Sequence, residues 1–216
     1  MRTIIVASGQ PPRDDDWHRW VRDGDLVIGA DGGAGLALQG GVVPGLVIGD
    51  MDSLTDADRV ALEAQGVRFE VHPRSKDETD LELALTYAAQ EGAKEIVVLG
   101  ALGGRLDHTL SNVFLLALPQ LTGLSVRIVD GGEEALLLQS GEGTILEGQP
   151  GDLVSLLPVG GKAEGVTTTG LAWGLSGDTL DFGLSRGVSN VMLGKSARVE
   201  VEAGYLLVVH SQPDVS

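Results

Sequence analysis

The chain has 216 residues, 32 glycines, no cysteine and a formal net charge of −16. The lack of cysteine excludes disulfides, thiolate metal sites and cysteine nucleophiles, and the excess of acid repels nucleic acid and anionic membranes, so neither is expected as a partner. No apolar run is long enough to span a bilayer, and Met1-Arg2 leads straight into an apolar strand with no signal-peptide pattern, so a cytoplasmic protein is expected.

In chain order, short apolar runs at 3–7, 26–30 and 46–49 close on Ser8-Gly9, Asp31-Gly32-Gly33 and Asp50. Runs that are apolar at successive positions predict strands of a parallel sheet covered on both faces. A helical pattern at 56–65 precedes Gly66, and a strand at 69–72 leads into the polar segment 74–80. A second helix is expected over 79–91, a strand over 95–99, a third helix over 106–118 and a strand over 126–129. Glycine or proline stops each helix, glycine because it accepts the left-handed cap and proline because it cannot continue the hydrogen bonding. The alternation predicts an α/β domain over 1–130, with a parallel, Rossmann-like sheet.

Past residue 130 the helical periodicity disappears. Strands are expected at 135–139, 143–146, 152–158, 163–168, 179–182, 188–193, 197–202 and 205–210. Val199 and Val201 alternate with Arg198, Glu200 and Glu202, the signature of a strand buried on one face. An all-β sandwich domain is therefore expected over 131–216.

In open α/β sheets ligands bind beyond the carboxyl ends of the strands. Asp31, the pair Asp50 and Asp52, the Arg74 to Asp80 segment and the Gly100 to His108 loop all fall there. In an extended segment Asp50 and Asp52 would point the same way around Met51, as Mg²⁺ requires of a few carboxylates shared with phosphate oxygens; equally, they could cap the helix near Asp56. Gly32-Gly33 would let backbone amides approach a phosphate at a helix start, or form a plain turn. Lys76 could neutralise phosphate charge and Asp80 reach a metal, while Asp77 or Thr79 could serve as a helix cap. Gly103-Gly104-Arg105 is flexible backbone followed by a guanidinium that could clamp phosphate, with Asp107 orienting it or accepting a proton. His108 is a candidate for direct chemistry or an ordinary helix-start residue. Trp17 and Trp20 read as packing; Trp173 reads as packing or as a platform for a flat ring.

As a set, Ala30-Asp31-Gly32-Gly33-Ala34, Gly49-Asp50-Met51-Asp52-Ser53, Lys76-Asp77-Glu78-Thr79-Asp80 and Gly103-Gly104-Arg105-Leu106-Asp107-His108 resemble thiamine pyrophosphokinase, and Gly170-Leu171-Ala172-Trp173 and Val188-Ser189-Asn190 extend the resemblance through the β-rich part. The resemblance implies transfer of the diphosphate of ATP to the hydroxyl of thiamine, giving thiamine diphosphate and AMP, in a homodimer. Carried over by motif, Asp50, Asp52 and Asp80 would hold Mg²⁺, with Asp31 helping to assemble the site. Gly32, Gly33, Lys76, Gly103, Gly104 and Arg105 would meet ATP, and Asp107 would complete the nucleotide side. Ser189, Asn190 and Trp173 would meet thiamine. Two alternatives are diphosphate transfer to another heterocyclic alcohol, such as a hydroxymethylpterin, and a noncatalytic nucleotide-binding module that kept the fold.

Overall fold

Parallel β-structure builds the first part of the computed structural model, which describes residues 1–212. The strands are β1 (Arg2–Val6), β2 (Leu26–Ala30), β3 (Leu46–Gly49), β4 (Arg68–Val71), β5 (Glu95–Leu99) and β6 (Ser125–Asp130). They pair in the order β4-β3-β2-β1-β5-β6, every pair parallel. Helices α1 (Asp14–Trp20), α2 (Gly33–Gln39), α3 (Asp56–Ala64), α4 (Asp80–Gln90) and α5 (Leu106–Phe114) follow the first five strands in turn. The chain separates into two compact units, Met1–Gly131 and Gly132–Ser216.

The apolar runs form strands because both faces of this sheet are covered. Ile4, Val6, Val97 and Leu99 form one buried cluster with Trp17, Trp20 and Ala37. The alternate residues Ile5, Ile28 and Ile48 are equally buried and, at a strand period of two, lie on the opposite face. Helix α4 packs along β1, β2 and β3 through Leu81, Ala84, Leu85 and Ala88. Truncating Leu85 would cost about 2–5 kcal/mol, the usual range for a large-to-small change in a packed core.

Helix α1 was not expected from the sequence, and α2 only as a possible helix start at Gly32-Gly33. Each spans only seven residues, and α2 carries two glycines, which are poor helix formers. Packing overrides that propensity. Trp17 and Trp20, three positions apart, anchor α1 to the sheet. Gly33 lets α2 start hard against β1, where a Cβ would stand 1.9 Å from the Val6 carbonyl oxygen. The helix expected over 106–118 ends earlier: α5 stops at Phe114 and two 3-10 turns follow, the second opening at Pro119.

The second unit is antiparallel: β7 (Glu133–Leu138), β8 (Gly143–Glu147), β9 (Leu153–Thr169), β10 (Asp178–Leu180), β11 (Asn190–Val191), β12 (Ser196–Glu200) and β13 (Ala203–Ser211). Strand β13 joins β7 to β9, β12 joins β9 to β8, and β10 and β11 lie along β9. Two strands expected over 152–158 and 163–168 are one 17-residue strand, β9. Its pairing with β13 shifts register between Val159 and Glu164, and Gly160, with a left-handed φ of 70°, lies in that interruption. Of the strand expected over 188–193, only Asn190–Val191 pairs regularly.

A buried histidine ties β13 to β7 and to the turn that enters β9. His210 on β13 is 2 % exposed; its Nδ1 lies 3.1 Å from Glu134 Oε1 and its Nε2 3.0 Å from Asp152 Oδ2. The hydrogen bond to Glu134, aided by Asp152, holds the imidazole above its ordinary value, against the opposing effect of burial. The stability from this raised value is complete below about pH 6.5, the unfolded pKa, and is lost as pH rises through the folded value. Urea unfolding should therefore show stability falling from neutral to alkaline pH, and His210→Gln should remove that component.

Candidate active site

β1 is flanked by β2 on one side and β5 on the other. The chain winds outward from β1 to β4, then reverses to place β5 and β6 on the other flank. At such a reversal the loops leaving adjacent strands diverge and open a crevice at the strands' carboxyl ends. A cleft of about 910 Å³ lies there. Its walls come from Ser8 to Pro11 after β1, Asp31 after β2, Asp50, Asp52 and Ser53 after β3, Arg74, Lys76 and Asp80 after β4, and Gly103, Gly104, Arg105, Asp107 and His108 after β5.

Asp31, Asp50 and Asp52 each bring a carboxylate oxygen within 4.8 Å of the other two. The backbone achieves this by a turn, not by the extended segment expected from the sequence. Met51 is left-handed at φ 64°, and Asp50 Oδ1 accepts from the Asp52 amide at 3.0 Å. These acids are not helix caps: Thr55 caps α3, accepting from the Asp58 amide at 3.1 Å. Thr79 caps α4 in the same way, accepting from Glu82, which leaves Asp80 in the first turn facing the cleft.

Gly49 permits the approach of the remaining carboxylate. A Cβ there would meet the Asp31 Cβ and Asp80 Oδ1, each at 2.9 Å. Asp31 itself is 3 % exposed and left-handed at φ 46°. One oxygen accepts from the Ser53 amide at 3.0 Å; the other, Oδ1, is buried with no hydrogen-bond partner among the described residues. Burial pushes this carboxyl above its ordinary range, Ser53 pulls it down, and Asp80 and Asp50 raise it further. A buried carboxylate oxygen without a donor beside two other acids is costly, and a divalent cation is the partner that would relieve it.

Two cations line the cleft in different settings. Lys76 is nearly buried, with Nζ 2.6 Å from Asp80 Oδ1 and 3.9 Å from Asp50 Oδ2. Arg105 and Asp107 are exposed and paired in a fork, at 3.1 Å from Nε to Oδ1 and 2.5 Å from Nη2 to Oδ2. Hydrogen bonding by Arg105 holds the Asp107 carboxyl below the usual range. Asp107 is therefore a weak base, suited to orienting the guanidinium. His108 is exposed on the same wall.

Gly32 and Gly33 do not line the cleft; Gly33 is buried where α2 meets β1. Trp173, Ser189 and Asn190 belong to the second unit. There Trp173 is 64 % exposed, Ser189 is exposed and left-handed at φ 59°, and Asn190 is buried. Sequence reasoning missed the Ser8 to Pro11 segment. The signal was present, since these residues follow an apolar strand, but they carry no charge except beyond Pro12. It also missed Ser53, whose amide holds Asp31; nothing in the sequence marks that contact across 22 residues.

Residues 17–129 match the family model described as thiamin pyrophosphokinase, catalytic domain, and residues 143–206 match thiamin pyrophosphokinase, vitamin B1 binding domain. The chain is 29 % identical over 212 residues to the thiamine pyrophosphokinase of Bacillus subtilis, covering 98 % of this chain and 99 % of that one. A crystal structure of thiamine pyrophosphokinase from Bacillus subtilis superposes with a TM-score of 0.88 at 26 % identity, over 98 % of this chain and 99 % of the other. The yeast thiamin pyrophosphokinase structure has a TM-score of 0.79 at 17 % identity over 97 % and 86 % of the two chains, a likeness of fold.

Replacing Asp31 by Asn removes the buried charge while keeping an acceptor for the Ser53 amide. In chelator, Asp31→Asn should be more stable than the parent by about 1–2 kcal/mol. For a chain of this size each kcal/mol is a rise in Tm of about 2–4 °C, readable by thermal unfolding.

Proposed function

The chain belongs to the thiamine pyrophosphokinase family, and on that premise we propose that the cleft at the carboxyl ends of β1 to β5 is where ATP gives up its diphosphate to thiamine. The enzyme is an ATP-dependent thiamine diphosphokinase that forms thiamine diphosphate and AMP. The thiamine hydroxyl oxygen forms a bond to the β-phosphorus, the bond from that phosphorus to the oxygen bridging it to the α-phosphate breaks, and the hydroxyl proton is released. Such transfers depend on positioning and charge neutralisation more than on covalent catalysis.

The convergence of Asp31, Asp50 and Asp52 carries the reading. Mg²⁺ takes a few carboxylates together with waters and phosphate oxygens, and a cation held beside Asp31 would offset the charge on its Oδ1, which has no hydrogen-bond partner among the described residues. Asp50, Asp52 and Asp80 would hold it, with Asp31 completing the anionic wall. When bound, it offsets the charge of the phosphate oxygens. Lys76, within reach of Asp50 and Asp80, supplies a fixed positive charge to the phosphates. Arg105, pre-oriented by Asp107, clamps them from the opposite wall. Gly103 and Gly104 give the loop between β5 and α5 its left-handed turns.

Thiamine is assigned to the second unit, where the exposed face of Trp173 offers a platform for a flat, positively charged heterocycle and Ser189 presents a hydroxyl. The reading includes a Rossmann-like catalytic domain over 1–130, a β-sandwich over 131–216, a homodimer and a cytoplasmic setting where ATP and Mg²⁺ are abundant. Among the described residues no helix is long and apolar enough to cross a membrane.

Incubation with ATP, Mg²⁺ and thiamine should release AMP in step with thiamine diphosphate; ADP as the product would contradict diphosphate transfer. Asp52→Asn should lower kcat by about 100-fold or more, a loss typical of removing a fixed electrostatic contact to the transferring group, with an unchanged circular dichroism spectrum.

A further inference from the structure

We propose that Asn190 is a positioning residue, locking the backbone of Trp173 so that its indole stands ready as a platform, and that it does not itself touch the substrate. Asn190 is 4 % exposed. Its Oδ1 accepts from the Trp173 amide at 3.0 Å and from the Val191 amide at 2.9 Å, and its Nδ2 donates to the Trp173 carbonyl at 2.7 Å. A side-chain amide offers two acceptor sites and two donors. Both acceptor sites and one donor are thus consumed within the protein, and the burial leaves little access to the last.

The side chain does for Trp173 what a paired strand would do, satisfying both of its main-chain groups. Pairing on either side continues the lock: Ala172 donates to the Val191 carbonyl, Leu193 to the Gly170 carbonyl, each at 2.9 Å, and Leu171 bridges Met192. Leu171, Leu175 and Met192 sit in the core of the unit. The left-handed turn at Ser189, whose amide donates to Ser155 Oγ on β9 at 3.0 Å, sets the direction in which Asn190 enters. A large aromatic side chain is left 64 % exposed on this fixed backbone, so the backbone part of the ordering cost is met before a ligand arrives, which favours binding of a ring.

This inference rests on the assignment of Trp173 to the thiamine site, and a double-mutant cycle on the full chain separates the two. Trp173→Ala should raise the KM for thiamine about 30-fold and Asn190→Ala about 10-fold, with kcat within about threefold and the KM for ATP unchanged. The double variant should match Trp173→Ala alone, because Asn190 acts only through the indole. Full additivity would mean that Asn190 contacts substrate independently, overturning the inference while sparing the platform. An unchanged thiamine KM in Trp173→Ala would overturn both. If Asn190→Ala does not fold, Asn190→Asp carries the test. It keeps both acceptor bonds but sets a carboxylate oxygen against the Trp173 carbonyl in place of the donor, so it should also raise the thiamine KM, an effect that vanishes in the Trp173→Ala background. No rise in thiamine KM, with only a lower Tm, would reduce Asn190 to a structural residue and overturn the proposal.

Discussion

Mutual repulsion among carboxylates crowded at the ends of parallel strands is the constraint around which the first unit is arranged. Asp31, Asp50 and Asp52 stand within 4.8 Å of one another, and Asp80 is brought close by the missing side chain of Gly49. The protein offsets part of that repulsion with the Lys76 ammonium and the Ser53 amide, and leaves Asp31 Oδ1 without a partner among the described residues. Folding alone does not favour such an arrangement; it is the kind of locally unfavourable site that function imposes and the surrounding core has to support. That core is the apolar sheet beneath, whose central strands are almost fully buried.

The two units differ in the chemistry they present. The first presents charge: a cluster of acids with Lys76 and Arg105 in the same cleft. The second offers an aromatic face on a backbone fixed by Asn190. Phosphate recognition needs formal charge and rigid geometry, while recognition of a flat cationic ring needs polarizable surface with little competing hydration.

The central strands were legible in the sequence because parallel strands buried on both faces read as uninterrupted apolar runs, as in 95–99. β4 was offset by one residue from expectation because Arg68 and Glu70 interrupt that signal on a strand with a single neighbour. Helix α1 escaped notice and α2 was read only as a possible start at Gly32-Gly33, because two tryptophans and a glycine contact, not periodicity or propensity, hold them. The acids of the cleft were legible from their position just past strands. Their closeness was not, since it depends on a left-handed Met51 and an amide hydrogen bond from Ser53. Asn190 could be singled out by motif, but its burial and its hydrogen bonds to the Trp173 main chain belong to the tertiary structure alone.

The central claim is that acids distant in sequence grip one divalent cation against a triphosphate. Anomalous diffraction from crystals grown with Mn²⁺ and a non-hydrolysable ATP analogue measures this directly. A manganese peak coordinated by carboxylates from among Asp31, Asp50, Asp52 and Asp80 and by phosphate oxygens of the analogue is expected. An analogue bound with its phosphates away from these residues, or a manganese site that none of them touches, would contradict it.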